Sequence, residues 1–235
     1  MEQTMQARCA KAHSTRQRGQ SLPEFLIVVP AFIFLVLLVF QLVLVYRAKN
    51  TLDYATLMAA RAGAVNGAKI KEMKDGLARG LTPLYATSSG AAGLYEAWGK
   101  AKLDMILNAR IEIISPSKAS WNEFSERQYN GKPALPNDNL AFRDHTVGAG
   151  GVNVQDANIL KIRVTYDYPL IVPFVDRVMR GDSKYVKSDG FLDPANVDMK
   201  LPVLSGGSHF RIPLESHAIV RMQSPIYAEQ AKRLP

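Results

Sequence analysis

A chain of 235 residues with a formal net charge of +8 has room for one domain, or for a segment plus one domain. The charge does not mark a nucleic-acid surface: the first 19 residues carry +3 of it, and the remaining +5 lie in mixed stretches such as KIKEMKDGLAR. The single cysteine, Cys9, excludes an intramolecular disulfide, so the body must be held by packing or by assembly with other chains.

In chain order, residues 1–19 read as a basic leader, with Arg8, Lys11, Arg16 and Arg18 ahead of Gly19. Residues 25–46 follow without one charge, broken only by Pro30 and Gln41. As a helix those 22 residues span about 33 Å, enough to cross a hydrocarbon core of about 30 Å. The run is longer than the apolar core of a cleavable signal peptide, and LVYRAKN at its end has no small-x-small pair. Residues 20–46 therefore read as a retained transmembrane helix. Basic residues flank it on both sides, with Arg47, Lys49 and Arg61 after it, so the positive-inside bias only leans toward a cytoplasmic amino terminus.

Two positions in this segment are costly. Glu24 places a carboxylate at the lip of the hydrocarbon core. Either it snorkels into the headgroups, where an acid suits a helix amino terminus, or it pairs with a cation. Pro30 removes a backbone hydrogen bond and kinks or loosens the span, as an idle feature or as a source of flexibility.

Residues 47–80 read as an amphipathic continuation of the same helix. Ala55, Ala59, Gly63 and Gly67 recur at steps of four, with Ala60, Ala64 and Ala68 in the neighbouring row. On a helix these rows make a smooth stripe that another backbone can approach closely. Each glycine costs about 1 kcal/mol of helix stability, so propensity alone does not account for them. GLTPLYATSSG ends the helix, and a shorter one is expected through AAGLYEAWGKAKLDMIL.

The period then changes to that of strands. ARIEIIS sets Ala109, Ile111 and Ile113 on one face. ILKIRVTYDY does the same with Leu160, Ile162, Val164, Tyr166 and Tyr168, and IPLESHAIVRM with Ile212, Leu214, Ala218, Val220 and Met222. Such alternation predicts half-buried antiparallel strands, and a helix is their natural cover. The expected fold class is α+β: a long amino-terminal helix on a small antiparallel sheet, with residues 81–235 as the α+β domain. Residues 116–157 and 181–208 are rich in Gly, Pro, Asn, Asp and Ser and read as long surface loops.

Little in the sequence asks for chemistry. There is no metal-spaced His/Cys cluster, phosphate loop or nucleophile elbow, so no catalytic, cofactor-binding or metal-ligating residues are expected. VGAGGV at 147–152 reads as a turn, NDNLAFRD lacks a calcium-loop spacing, and His209 and His217 read as structural.

Basic residues before Gly19, then five residues ending in Glu24 at the start of an oily helix, resemble the class III leader of type IV pilins and pseudopilins. PEFLIVVPAFIFLVLLVF followed by YRAKNTLDYATLMAARAGA narrows this: it is similar to the TadE-like family, minor pseudopilins of tight-adherence (Tad) pili. The shared features are Glu24, Pro30 six residues on, a leucine-rich span and the AARAGA of residues 59–64. Pro23 and Phe25 depart from the pattern. TadG-like proteins are close in this pattern, but the D-x-S-x-S motif many of them carry is absent.

The resemblance implies cleavage between Gly19 and Gln20 by a prepilin peptidase and a pilin-like fold. It also implies pairing of Glu24 with the new amino group of a neighbouring subunit. The implied partners are other pilin-like subunits, the peptidase and the pilus assembly platform, with no cofactor, nucleic acid or small-molecule substrate. The stripe of Ala55, Ala59, Gly63 and Gly67 is then expected to make helix contacts in that assembly. A pseudopilin of a type II secretion system and a permanently anchored envelope sensor or enzyme are the competing readings.

Overall fold

The computed structural model describes residues 21–87, 90–148, 150–172, 175, 178 and 211–235. Gly19, Gln20, His209 and the expected loop at 181–208 lie outside the described residues.

The first helix, α1 (Ser21–Val65), passes through Pro30 without interruption and is 45 residues long, about 68 Å at 1.5 Å per residue. Its two halves differ in what surrounds them. Through residues 25–46 most side chains face outward, among them Phe25, Ile27, Phe32, Leu35, Phe40 and Val43. From Ala48 on, the face carrying Leu52, Ala55, Ala59, Ala60 and Ala64 is fully buried.

The expected continuation of α1 to residue 80 is not what forms. The helix stops at Val65, and α2 (Ile70–Tyr85) folds back along it. Asn66-Gly67 supplies the stop. Gly67 takes φ +64°, the left-handed region that ends helices, and the Ala68 N–H reaches back to the Gly63 carbonyl at 2.8 Å. The Gly67 N–H donates to Ser224 Oγ at 2.6 Å, and that hydroxyl donates to the Ala64 carbonyl at 2.9 Å. A serine from the far end of the chain thus completes the cap. A Cβ at Gly67 would fall 2.8 Å from the Pro225 carbonyl oxygen. Gly67→Ala is therefore expected to destabilise the domain by about 1–2 kcal/mol, the cost of holding an L-residue in that conformation. A lower urea midpoint with an unchanged slope would register it.

Helix α3 (Ala91–Asn108) packs on α2 and runs directly into strand β1 (Ala109–Ser115). Strands β1, β4 (Ile159–Pro169) and β5 (Arg211–Arg221) form one antiparallel sheet in the order β1-β4-β5. In register, Ile111 faces Val164 and Ile162 faces Ala218, so the apolar residues of all three strands share one side. On the central strand Leu160, Ile162, Val164, Tyr166 and Tyr168 are buried under the helices, as their alternation predicts. Helix α1 lies across β5 and β4, which gives the expected α+β arrangement of a long helix on a small antiparallel sheet.

The stretch 116–157 is more structured than a loop. It carries α4 (Lys118–Phe124), short strands β2 (Glu126–Arg127) and β3 (Pro133–Leu135), a 3-10 turn (Leu140–Phe142) and α5 (Val154–Ala157). Strand β6 (Ile226–Tyr227), just before the short helix α6 (Ala228–Ala231), pairs with β3 to make a second small sheet in the order β2-β3-β6. Trp121 Nε1 donates to the Ile226 carbonyl at 2.7 Å and ties α4 to this sheet. These elements are too short to show a period, which is why composition alone suggests loops.

Candidate functional site: the anchor helix and its seat on the domain

Glu24 stands in the first turn of α1, exposed, with no hydrogen bond or ion pair to any described residue. At that end of a helix the backbone N–H groups are unpaired and the dipole is positive, so a carboxylate is locally favoured. It remains available to a group from outside the chain. Pro30, also exposed, lacks the N–H that would bond to the carbonyl of Leu26. The segment from Pro23 on is the one helix among the described residues long and apolar enough to cross a membrane.

The small-residue stripe has a different role from the one expected. Ala55 and Ala59 are fully buried, and what covers them is α2 of the same chain. A Cβ at Gly80 would lie 2.6 Å from the Ala55 Cβ and closer still to its Cα, and one at Gly76 would lie 3.1 Å from the Ala59 Cα. A Cβ at Gly63 would meet the Met73 side chain at 2.8 Å. The close approaches run from 63 against 73 to 55 against 80, an antiparallel helical hairpin with its backbones nearly touching. Gly67 belongs to the turn, not to the stripe. The stripe is thus closed within the subunit and is not open to a neighbour's helix.

Polar groups then fix the helix on the sheet. Lys49 Nζ donates to Asp53 Oδ1 at 2.6 Å and to the carbonyl of Glu215 on β5. Deeper in the apolar run, Gln41 is fully buried, and its Oε1 accepts from the N–H groups of Ile171 and Val172 at 3.2 and 2.9 Å.

Inside the domain a buried carboxylate joins three elements. Asp104 on α3 is 1% exposed. Its Oδ2 accepts from the hydroxyls of Tyr85 on α2 and Tyr166 on β4, both at 2.5 Å, and those hydroxyl oxygens are 2.7 Å apart. Its Oδ1 accepts from Asn108 Nδ2 at 2.7 Å and from the Arg211 guanidinium at 3.2 Å. Burial, then the Asp104 charge, push both tyrosine hydroxyls far above their ordinary range. Such hydroxyls stay protonated and are locked donors. The cluster ties α2, α3 and the central sheet together. The sequence offers no signal for it beyond the aspartate interrupting an apolar helix face. Among the described residues no group of three or more His, Cys, Asp or Glu side chains could hold a metal ion.

A model of a known family covers the anchor. Residues 19–61 match the TadE-like protein family. Comparison of the chain with curated proteins and with solved structures gives no match. The TadE-like stretch runs from Gly19 through Glu24, Pro30 and the whole apolar run to Arg61, ending just before the turn that starts α2. The family resemblance read from the sequence holds over that stretch, and residues 62–235, with most of the domain, lie beyond it.

Proposed function

We propose that the protein is a minor pilin-like subunit, non-enzymatic, that takes part in assembly of a Tad (Flp-type) adhesion pilus. The observation that carries this reading is the TadE-like match over 19–61, with an exposed Glu24 in the first turn of an uncovered apolar helix. In this reading α1 anchors the chain in the inner membrane with its amino end cytoplasmic and the domain in the periplasm. A prepilin peptidase cuts between Gly19 and Gln20, and Glu24 becomes the fifth residue of the mature chain. Its carboxylate, costly at the edge of the hydrocarbon core, pairs with the free α-amine of a neighbouring subunit and sets that subunit's register. The partners are other pilin-like subunits, the peptidase and the assembly platform.

The domain adds a constraint on how such a subunit meets its neighbours. Its small-residue stripe is used internally, so contact between subunits falls to the exposed apolar half of α1 and to Glu24. Deleting the gene is expected to abolish pilus-dependent surface attachment and leave protein secretion intact. A Glu24→Leu chain should reach the membrane at the normal level yet fail to restore attachment. Full restoration by Glu24→Leu would contradict the pairing role, and a secretion defect with intact pili would favour a type II secretion pseudopilin.

A further inference from the structure

We propose that the end of β4 and the turn after it, residues 169–172, are seated within the bilayer leaflet on the domain's side, with lipid acyl chains as their partner. The inference rests on the reading of α1 as a membrane anchor and concerns the depth at which the domain meets the membrane.

Gln41 is the key residue. It is the one polar side chain inside the uncharged run 25–46 other than the terminal Tyr46. It lies five residues before that end, about 7.5 Å further along the axis at 1.5 Å per residue. Because Gln41 Oε1 holds the N–H groups of Ile171 and Val172, the backbone of the turn sits at that same depth. Were the domain wholly outside the hydrocarbon, the membrane segment would have to end near Phe40. Residues 25–40 span only about 24 Å, short of the about 30 Å required, whereas 25–46 span about 33 Å.

Irregular backbone survives at membrane depth only where its polar groups are satisfied by protein. Gln41 supplies part of that satisfaction here through its Oε1, while its own Nε2 is buried without a partner among the described residues. In PLIV, residues 169–172, Pro169 has no N–H to satisfy, and Gln41 takes two of the remaining three. Every side chain in the stretch is apolar. Ile171 is 54% exposed, and Leu42 and Val43, next to Gln41 on α1, are 50% and 58% exposed. Arg47 and Lys49 come one turn later, at the level of the headgroups.

The full-length chain with Cys9→Ser, in vesicles of phosphatidylethanolamine and phosphatidylglycerol, provides the test. A polarity-sensitive fluorophore is placed in turn at Ile171→Cys, at Leu35→Cys within the span, and at Phe142→Cys, 92% exposed on the domain. Iodide, excluded from hydrocarbon, is expected to quench the label at 171 about tenfold less than that at 142. Lipids carrying an acyl-chain nitroxide should quench 171 and 35 alike. A label at 171 as open to iodide as that at 142, with 35 shielded, overturns the proposal and leaves the anchor standing. Iodide access at 35 as well would remove the anchor reading itself. Shielding at 171 without quenching by nitroxide lipid would mean that protein covers the turn, which also overturns the proposal. Gln41→Leu is expected to raise iodide access at 171 and leave 35 unchanged; no change at 171 would contradict the part given to Gln41.

Discussion

Gly80→Leu is expected to destabilise the domain severely while leaving the chain in the membrane. Gly80 faces the Ala55 backbone so closely that a single added methyl would lie 2.6 Å from the Ala55 Cβ and closer still to its Cα. Backbone cannot swing aside as a flexible side chain does, so the two helices must separate. Overpacking of this severity costs about 3 kcal/mol or more, a large share of the about 5–15 kcal/mol that holds a domain folded. Trimming the facing residue by Ala55→Gly should give only slight rescue, because the backbone of residue 55 still blocks the added side chain. Two other glycines supply the contrast. Gly63→Ala meets side chains, Met73 Cγ and Sδ with Leu160 beside them, rather than backbone, and should cost less. Gly99, on α3 with nothing within 4 Å, should tolerate alanine with a gain of about 0.5–1 kcal/mol from helix propensity. Thermal unfolding of the detergent-solubilised chain ranks them. Equal effects at 80 and 99 would contradict the close-packed hairpin.

Asp104→Ala is expected to lower the melting temperature by about 6–12 °C, from a loss of about 3 kcal/mol or more at about 2–4 °C per kcal/mol. The loss comes less from the missing attraction than from what is left behind. Arg211 loses its ion pair with Asp104, and two tyrosine hydroxyls lose their carboxylate acceptor. The same cluster makes stability depend on pH at the alkaline end. Tyr85 and Tyr166 titrate well above 10 in the folded chain and near 10 when unfolded. Below pH 10 both states hold these protons, and the stability they support is fully present. Above it the unfolded chain sheds protons that the folded chain retains, so stability falls as pH rises. The slope approaches about 2.7 kcal/mol per pH unit for two groups at about 1.36 each. Tyr166→Phe should reduce that slope by about half. A flat stability curve from pH 9 to 11.5 would contradict the buried network.

How much of this is legible in the sequence varies by element. The sheet is, because the strands around Val164 and Ala218 bury one face and wet the other, and burial of one face writes a period of two. The apolar half of α1 is legible by length alone. The hairpin of α1 and α2 is hidden for a physical reason. Ala55, Ala59, Gly63 and Gly67 keep a helical spacing, so the pattern runs smoothly over the turn that Gly67 makes. The stop signal is there in the Asn66-Gly67 pair, which the four-residue rhythm outweighs. The partner stripe is there too, in Gly76 and Gly80, four apart on α2 and facing Ala59 and Ala55. The Ser224 cap, the Asp104 cluster and the Gln41 seat join residues 160, 107 and 131 positions apart. A single sequence carries no signal for such pairings, only hints in the form of polar residues set in apolar surroundings.

The central claim is that the chain is a processed pilin-like subunit in which Glu24 is the fifth residue of the mature protein. Intact mass and amino-terminal sequence of the protein recovered from membranes test it most directly. The expected result is a chain beginning at Gln20, and a Gly19→Val variant that keeps its leader. A membrane-bound chain still beginning at Met1, with attachment unimpaired, would contradict it.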